Sequence, residues 1–255
     1  MSFSHTSTAS FERKLAPRVS RLGFGAYREY YNYLLRDQEG KWELRQLINA
    51  ITVDQTAFFR HIKQFEHLSN IILPEILEKK SGMKKLRIWS AGCSTGEEAY
   101  SIAMVVNEIL GQDDSWDVKI LASDVDTDAL KFAHKGLYSR QCIEKVPSEY
   151  LSKYFMEGVG GETGFYSVRK ALKKNILFRR LNFVDSEFLF KSLVDIVFCR
   201  NVMIYFEAPF KKKLIDVFFR VMGQDGFLCL GASESLIGVD NRFALIGHAI
   251  YQKKG

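Results

Sequence analysis

The stretch from Leu86 to Leu110 constrains the fold more than any other. Leu-Arg-Ile-Trp-Ser-Ala (86–91) is a short, mostly apolar run, the signature of a strand buried on both faces. The chain then turns at Gly92, crosses Cys-Ser-Thr-Gly (93–96) and enters Glu97–Leu110, whose apolar residues recur at helical spacing. A strand that feeds a helix through a glycine turn buries both elements only in a parallel sheet covered by helices. The alternation continues. Residues 118–124, 194–200 and 226–233 read as strands, 126–137 and 208–222 as helices, and 242–254 as a closing hairpin.

Two flanking regions break this period. Residues from about 11 to 80 carry helical spacing throughout, including Tyr27, Tyr30, Tyr31 and Leu34, then Trp42, Leu47 and Ile51, then Phe58, Phe59, Ile62, Phe65 and Leu68. We read 1–10 as an unstructured tail, 11–77 as an all-α domain, 78–85 as a linker and 86–255 as an α/β domain. Residues 154–181 carry Gly158, Gly160, Gly161 and Gly164 between strand-like runs and read as a small antiparallel β insertion.

Composition bounds the class. The 255 residues are 47% hydrophobic and 26% charged, as in a folded globular chain. No apolar run reaches the roughly 18 residues of a membrane span, and the polar N-terminus lacks the pattern of a secretory signal. Cys93, Cys142, Cys199 and Cys229 are scattered, three of them in or beside strand-like runs. They read as reduced thiols of a cytoplasmic protein, with no spacing for a metal. The net charge is +6, and Arg13, Lys14, Arg18 and Arg21 face only Glu12. A second basic cluster, Lys153 to Arg180, sets seven cations against Glu157 and Glu162. Acidic partners and a plain solvated face both fit such patches.

The turn at 92–96 poses a chemical question. A glycine turn between strand and helix commonly holds phosphate. Here the spacing is neither G-x-G-x-x-G nor a P-loop, and Glu97 and Glu98 would repel a pyrophosphate. A capping box over Ser94 to Glu97 accounts for Glu97 but not for Glu98. Asp124 ends the second strand, where an acid commonly accepts ribose hydroxyls. A ribose without phosphates, joined to positive charge, describes S-adenosylmethionine (SAM). A dinucleotide and a turn without ligand remain as alternatives.

Four stretches taken together resemble the CheR-type chemoreceptor glutamate methyltransferases. They are Ile51–Arg60 (ITVDQTAFFR), Ile88–Ala103 (IWSAGCSTGEEAYSIA), Ile120–Leu130 (ILASDVDTDAL) and Ile196–Phe206 (IVFCRNVMIYF). The resemblance implies an N-terminal all-α domain followed by a Rossmann-like SAM-methyltransferase domain with a small antiparallel β insertion. It implies SAM as methyl donor, S-adenosylhomocysteine (SAH) as product and receptor glutamates as acceptors. Residue by residue, it assigns Thr56, Arg60, Gly92, Glu98, Asp124, Asn182, Phe183, Arg200 and Asn201 to the cofactor. Asp54 joins them at a position where the family commonly has Asn. Arg60 is expected to orient the acceptor carboxylate and Tyr205 to lie beside the transferred methyl. Lys14, Arg18 and Arg21 are expected to face acidic receptor helices, with Pro17 complicating the start of their helix. The glycine-rich loop 157–164 resembles that of members whose β-subdomain binds a receptor C-terminal peptide. Methylation of nucleic acid is a rival reading, but Arg200–Tyr205 lacks the prolines typical of base-amino methylation. A non-catalytic SAM-binding module is another. No nucleic-acid partner and no membrane insertion are expected.

Overall fold

Each change in apolar period marks a change of architecture. The structure is a computed structural model and describes residues 5–36, 38–51, 56–111, 113–158, 163–184 and 192–254. Three helices come first: α1 (His5–Arg21), α2 (Tyr27–Leu34) and α3 (Gln38–Ile51). They close over Leu15, Val19, Tyr30 and Leu47. A Cβ on Gly40 would stand 2.4 Å from the Tyr33 carbonyl oxygen, so only glycine lets α3 pass the end of α2. The helix α1 begins inside the expected tail and continues through Pro17. Pro17 is exposed, where water can satisfy the carbonyl that its missing N–H leaves unpaired.

Residues 56–61, expected to be helical, are not. Helix resumes as α4 (Ile62–His67), widens through a π-helical turn (Leu68–Ile72) and ends as α5 (Leu73–Lys79). The Leu73 N–H reaches back to the Leu68 carbonyl, and the widened turn precedes Pro74, which has no N–H to give. Phe65, Leu68, Ile72 and Ile76 share one core with Leu86, Ile88, Ile196 and Phe198 of the sheet. Residues 62–79 therefore pack with the α/β body, and 80–84 is a turn of that body, closed by the Lys84 N–H on the Lys80 carbonyl at 2.8 Å and tied to β2 by the Asp117 N–H on the Lys84 carbonyl at 2.8 Å.

The body contains, in order, β1 (Lys85–Ala91), α6 (Glu97–Leu110), β2 (Asp117–Asp124), α7 (Thr127–Lys135), β3 (Leu137–Ser139), α8 (Arg140–Ile143), α9 (Ser148–Tyr154), β4 (Phe155–Glu157), β5 (Phe165–Val168), α10 (Lys170–Lys173), β6 (Ile176–Arg180), β7 (Val194–Cys199), α11 (Ala208–Val221), β8 (Met222–Leu230), β9 (Phe243–Gly247) and β10 (Ile250–Lys253). The main sheet runs β6-β2-β1-β7-β8-β10-β9. β1, β2, β6, β7 and β8 pair in parallel, and β10 is antiparallel to both of its neighbours. Strand order reverses beside β1, with β2 on one side and β7 on the other, which opens a crevice at the carboxyl ends of these strands. The whole of β7 is buried, including Asp195, whose carboxylate is paired with Lys80 and accepts the Arg87 N–H at 2.9 Å.

The antiparallel sheet, β3-β5-β4, differs from the insertion expected at 154–181 at both ends. Leu137–Ser139 supplies its first strand. Ile176–Arg180 instead pairs with β2 as an edge of the main sheet, because Ile176 and Phe178 pack against Cys93, Ala99, Ala122 and Leu130. Among the described residues no helix is long and apolar enough to cross a membrane.

Candidate active site

The crevice is floored by the turn after β1. The N–H groups of Gly92 and Cys93 both donate to the Ser123 carbonyl, at 2.8 and 2.9 Å. Gly92 has φ +90°, and a Cβ there would lie 2.4 Å from Val202 Cγ2, so both conformation and space demand glycine. Gly96, at φ +96°, is the N-cap of α6 and gives it no side-chain hydrogen bond. The expected capping box is therefore absent. Glu97 is buried and accepts the Thr95 hydroxyl at 2.7 Å. Asp124 accepts the Ser94 N–H at 2.8 Å and the Asp126 N–H at 2.9 Å, which fixes its carboxylate at the end of β2.

Residues 56–61 wall one side. Phe58 is fully buried, with its ring edge-on to Tyr138 and Phe155 of the inserted sheet at 4.9 and 5.5 Å. Phe59 packs on Phe65 and Tyr150, and its N–H donates to Ser101 Oγ at 3.0 Å. Burying each ring contributes about 2–3 kcal/mol, enough to hold Phe59 and His61 in left-handed conformations (φ +51° and +61°). Thr56 and Arg60 are thereby carried to the cavity.

The loop after β7 forms the opposite wall. Arg200 is buried, donates from Nη2 to the Arg60 carbonyl and lies over the Phe65 ring. Its Nη1 stands 3.4 Å from Glu98 Oε2, while Glu98 Oε1 accepts the Ser90 hydroxyl at 2.7 Å. Burial pushes the Glu98 carboxyl above its ordinary value, opposed by Arg200 and Ser90. Burial likewise presses the Arg200 guanidinium down, opposed chiefly by Glu98.

These elements enclose a cavity of about 320 Å³. It is lined by Thr56, Arg60, Gly92, Glu98, Asp124, Asn182, Phe183, Arg200, Asn201 and Tyr205, which are ten of the positions singled out from sequence. Ile48 and Ile51 of α3 also line it. Asn49 ties α3 to the start of α7 through Thr127 Oγ1 (3.1 Å) and Asp128 Oδ2 (2.9 Å). Asp54 lies outside the described residues. Lys14, Arg18 and Arg21 do not line the cavity and do not share one outward face. Lys14 donates to the Ile51 carbonyl at 3.1 Å, Arg18 is paired with Glu43, and only Arg21 is exposed. Their neighbours Leu15 and Val19 turn this side of α1 into the helical core. Sequence reading missed Ser90, which orients Glu98, and Glu234, which is buried beneath the loop after β7. The signal for Glu234 was an acid four residues beyond an apolar strand.

Only one of the two carboxylates at the turn reaches the cavity, and Arg200 offsets it. Among the described residues, the lining holds two carboxylates, Glu98 and Asp124, and two guanidiniums, Arg60 and Arg200. That balance suits a zwitterion better than a polyanion or a simple cation. Among the described residues, two buried polar atoms of the lining have no hydrogen-bond partner: the donor Arg200 Nε and the acceptor Asn201 Oδ1. Leaving such groups unpaired costs about 1–3 kcal/mol each. An amino-acid tail brings an acceptor and a donor together, and Asp124 stands ready for ribose. The residues fit SAM, and a pyrophosphate would meet Glu98.

Comparison with known proteins agrees with the geometry. Residues 54–251 match the family model described as "CheR methyltransferase, SAM binding domain", and residues 1–52 match "CheR methyltransferase, all-alpha domain". The division falls between α3 and residues 56–61, where the packing also changes. The chain is 37% identical over 245 residues to the chemotaxis protein methyltransferase of Borreliella burgdorferi, covering 95% of this chain and 85% of that one. It is 35% identical to the chemotaxis protein methyltransferase of Escherichia coli, covering 93% and 80%. It is 34% identical to chemotaxis protein methyltransferase 2 of Pseudomonas aeruginosa, covering 93% and 82%. With the two domain models matched over residues 1–52 and 54–251 and a cavity suited to SAM, the chain belongs to the CheR methyltransferase family.

Proposed function

We propose that this chain transfers the methyl group of SAM to glutamate side chains of chemoreceptors, with Arg60 orienting the acceptor carboxylate and Tyr205 beside the transferred methyl. The observation that carries the reading is the meeting of Arg60, Arg200, Asn201, Glu98 and Asp124 around one cavity, with Arg200 Nε and Asn201 Oδ1 unpaired. Asp124 would hold the ribose, and Glu98, Arg200 and Asn201 the amino-acid end. When bound, SAM supplies a methyl group made electrophilic by its sulfonium.

The acceptor needs no activation. A glutamate of ordinary pKa, about 4.3, is ionised at pH 7 and already a nucleophile. Its oxygen bonds to the methyl carbon as the sulfur–carbon bond breaks, giving a methyl ester and SAH with no proton to move. The protein's task is alignment in a dry site. Ile48, Ile51, Phe183, Ile204 and Phe206 give the cavity apolar walls. A guanidinium grips a carboxylate in a fixed fork, which suits Arg60 to the acceptor. Tyr205, 43% exposed at the rim, suits a place where acceptor and donor meet.

Arg60→Ala is expected to lower turnover at least about a hundredfold with the far-UV spectrum unchanged. The assay is labelled SAM plus receptor, scored for base-labile methyl esters. Near-normal ester formation by this variant would remove Arg60 from the reaction.

The inserted sheet supports a second contact with the receptor. β3 and β4 are its edges, and Met156 and Phe165 are exposed on it. An extended receptor C-terminal peptide added to such an edge would tether the enzyme and raise its effective concentration. Failure of a receptor-tail peptide to retain the protein in a pull-down would exclude that contact.

A further inference from the structure

Beyond β8 the chain passes under the loop that follows β7, and one acid joins the two. Glu234 is buried and is not among the residues lining the cavity. Its Oε2 accepts the N–H groups of Gly231 at 2.7 Å and Asn201 at 2.9 Å, and its Oε1 accepts the Ile204 N–H at 3.2 Å. Three backbone donors from two segments thus converge on one carboxylate.

The loop it holds is strained and tightly fitted. Asn201 sits at φ +60°, a conformation that few residues other than glycine tolerate and that Asn tolerates best. A Cβ on Gly231 would lie 2.7 Å from Glu234 Oε2 and 2.8 Å from the Asn201 nitrogen. The loop between these anchors carries Arg200, Asn201 and Tyr205 to the cavity. Among the described residues, Glu234 is the partner of the part-buried Asn201 N–H.

We infer that Glu234 is a positioning residue for methyl transfer: its carboxylate clamps the loop after β7 so that Arg200 and Asn201 meet the cofactor and Tyr205 meets the reacting methyl. The part concerning Tyr205 rests on the role proposed for that residue above.

The test is Glu234→Gln in the full chain, with SAM and receptor as substrates. Glutamine keeps the shape but turns an NH₂ toward at least one of the three N–H groups. Four quantities are read: kcat, the receptor KM, SAH affinity and the thermal midpoint. The expected result is a kcat at least tenfold lower and SAH affinity at least fivefold weaker. The receptor KM stays within twofold, in a chain that is folded at the assay temperature. The amide signals of Asn201 and Ile204 should move together. A folded variant with wild-type kcat and SAH affinity overturns the inference. If Glu234→Gln does not fold, Gly231→Ala decides in its place. Its backbone lies outside the left-handed region, so the new Cβ acts only by wedging the same clamp, and the same losses or their absence give the answer. Normal turnover in Tyr205→Phe and Tyr205→Ala beside an impaired Glu234→Gln would remove the role of Tyr205 and leave the clamp standing.

Discussion

Two buried arginine–glutamate pairs lie in different parts of this molecule, and they are built differently. In the helical domain, Arg18 grips Glu43 with two bonds, Nε to Oε1 at 2.5 Å and Nη2 to Oε2 at 2.8 Å, and the Tyr30 hydroxyl adds a third at 2.7 Å. In the cavity, Arg200 approaches Glu98 once, at 3.4 Å, and its Nε has no partner. Both pairs are shielded from water, with side-chain exposures of 11% and 1% for the first and 3% and 11% for the second. Desolvating a pair is recovered only when its geometry is good and its remaining groups are satisfied. The first pair meets that condition within the protein. The second does not, and it lies where a ligand can complete it. A closed pair organises the fold, and an unfinished one marks a binding site.

The largest effect that separates them is on stability. Arg18→Met leaves Glu43 buried with only Tyr30 as donor, and it should cost about 3 kcal/mol in urea unfolding while SAH affinity stays within twofold. A loss of SAH binding by the folded variant would dissolve the distinction.

A smaller effect concerns pH. The folded-state pKa of Glu98 is raised by burial, so this group is protonated at higher pH than an ordinary carboxyl. The ammonium of SAH requires the ionised form. SAH affinity should therefore rise as pH climbs through the Glu98 pKa. Glu98→Gln should flatten that rise. The same group's share of stability has the opposite slope. A raised pKa favours the folded chain most when the carboxyl is protonated, so that share falls as pH rises from the unfolded value to the folded one. A flat wild-type affinity profile across this window would place Glu98 away from the ligand.

The order of β1, α6, β2, α7, β7, α11 and β8 was legible because buried parallel strands and amphipathic helices differ in period, while the edges of the two sheets, Leu137–Ser139 and Ile176–Arg180, were not. Glu98 and Asp124 were legible from the turn and from the end of the second strand, whereas Thr56, Arg60, Gly92, Asn182, Phe183, Arg200, Asn201 and Tyr205 came from the resemblance to the CheR-type methyltransferases. Three further features were not legible. Phe58, Phe59, Ile62, Phe65 and Leu68 fit a helical period, yet Phe58 is drawn to the inserted sheet and Phe59 to Phe65 and Tyr150 on α4 and α9, and the two together force a turn. The spacing of Lys14, Arg18 and Arg21 fits a basic surface, but only tertiary contact shows that Glu43 claims Arg18. Glu234 carries no motif in one sequence, since two of its three partners are backbone groups of a loop some 30 residues away.

The most direct test of the unfinished pair observes the two arginine Nε–H groups by nitrogen-15 NMR as SAH is added. The account predicts that the Arg200 Nε–H signal shifts and its solvent exchange slows on saturation, while the Arg18 Nε–H signal stays where it was, and that ATP has no such effect. An Arg200 signal unmoved by saturating SAH, or moved by ATP instead, would contradict it.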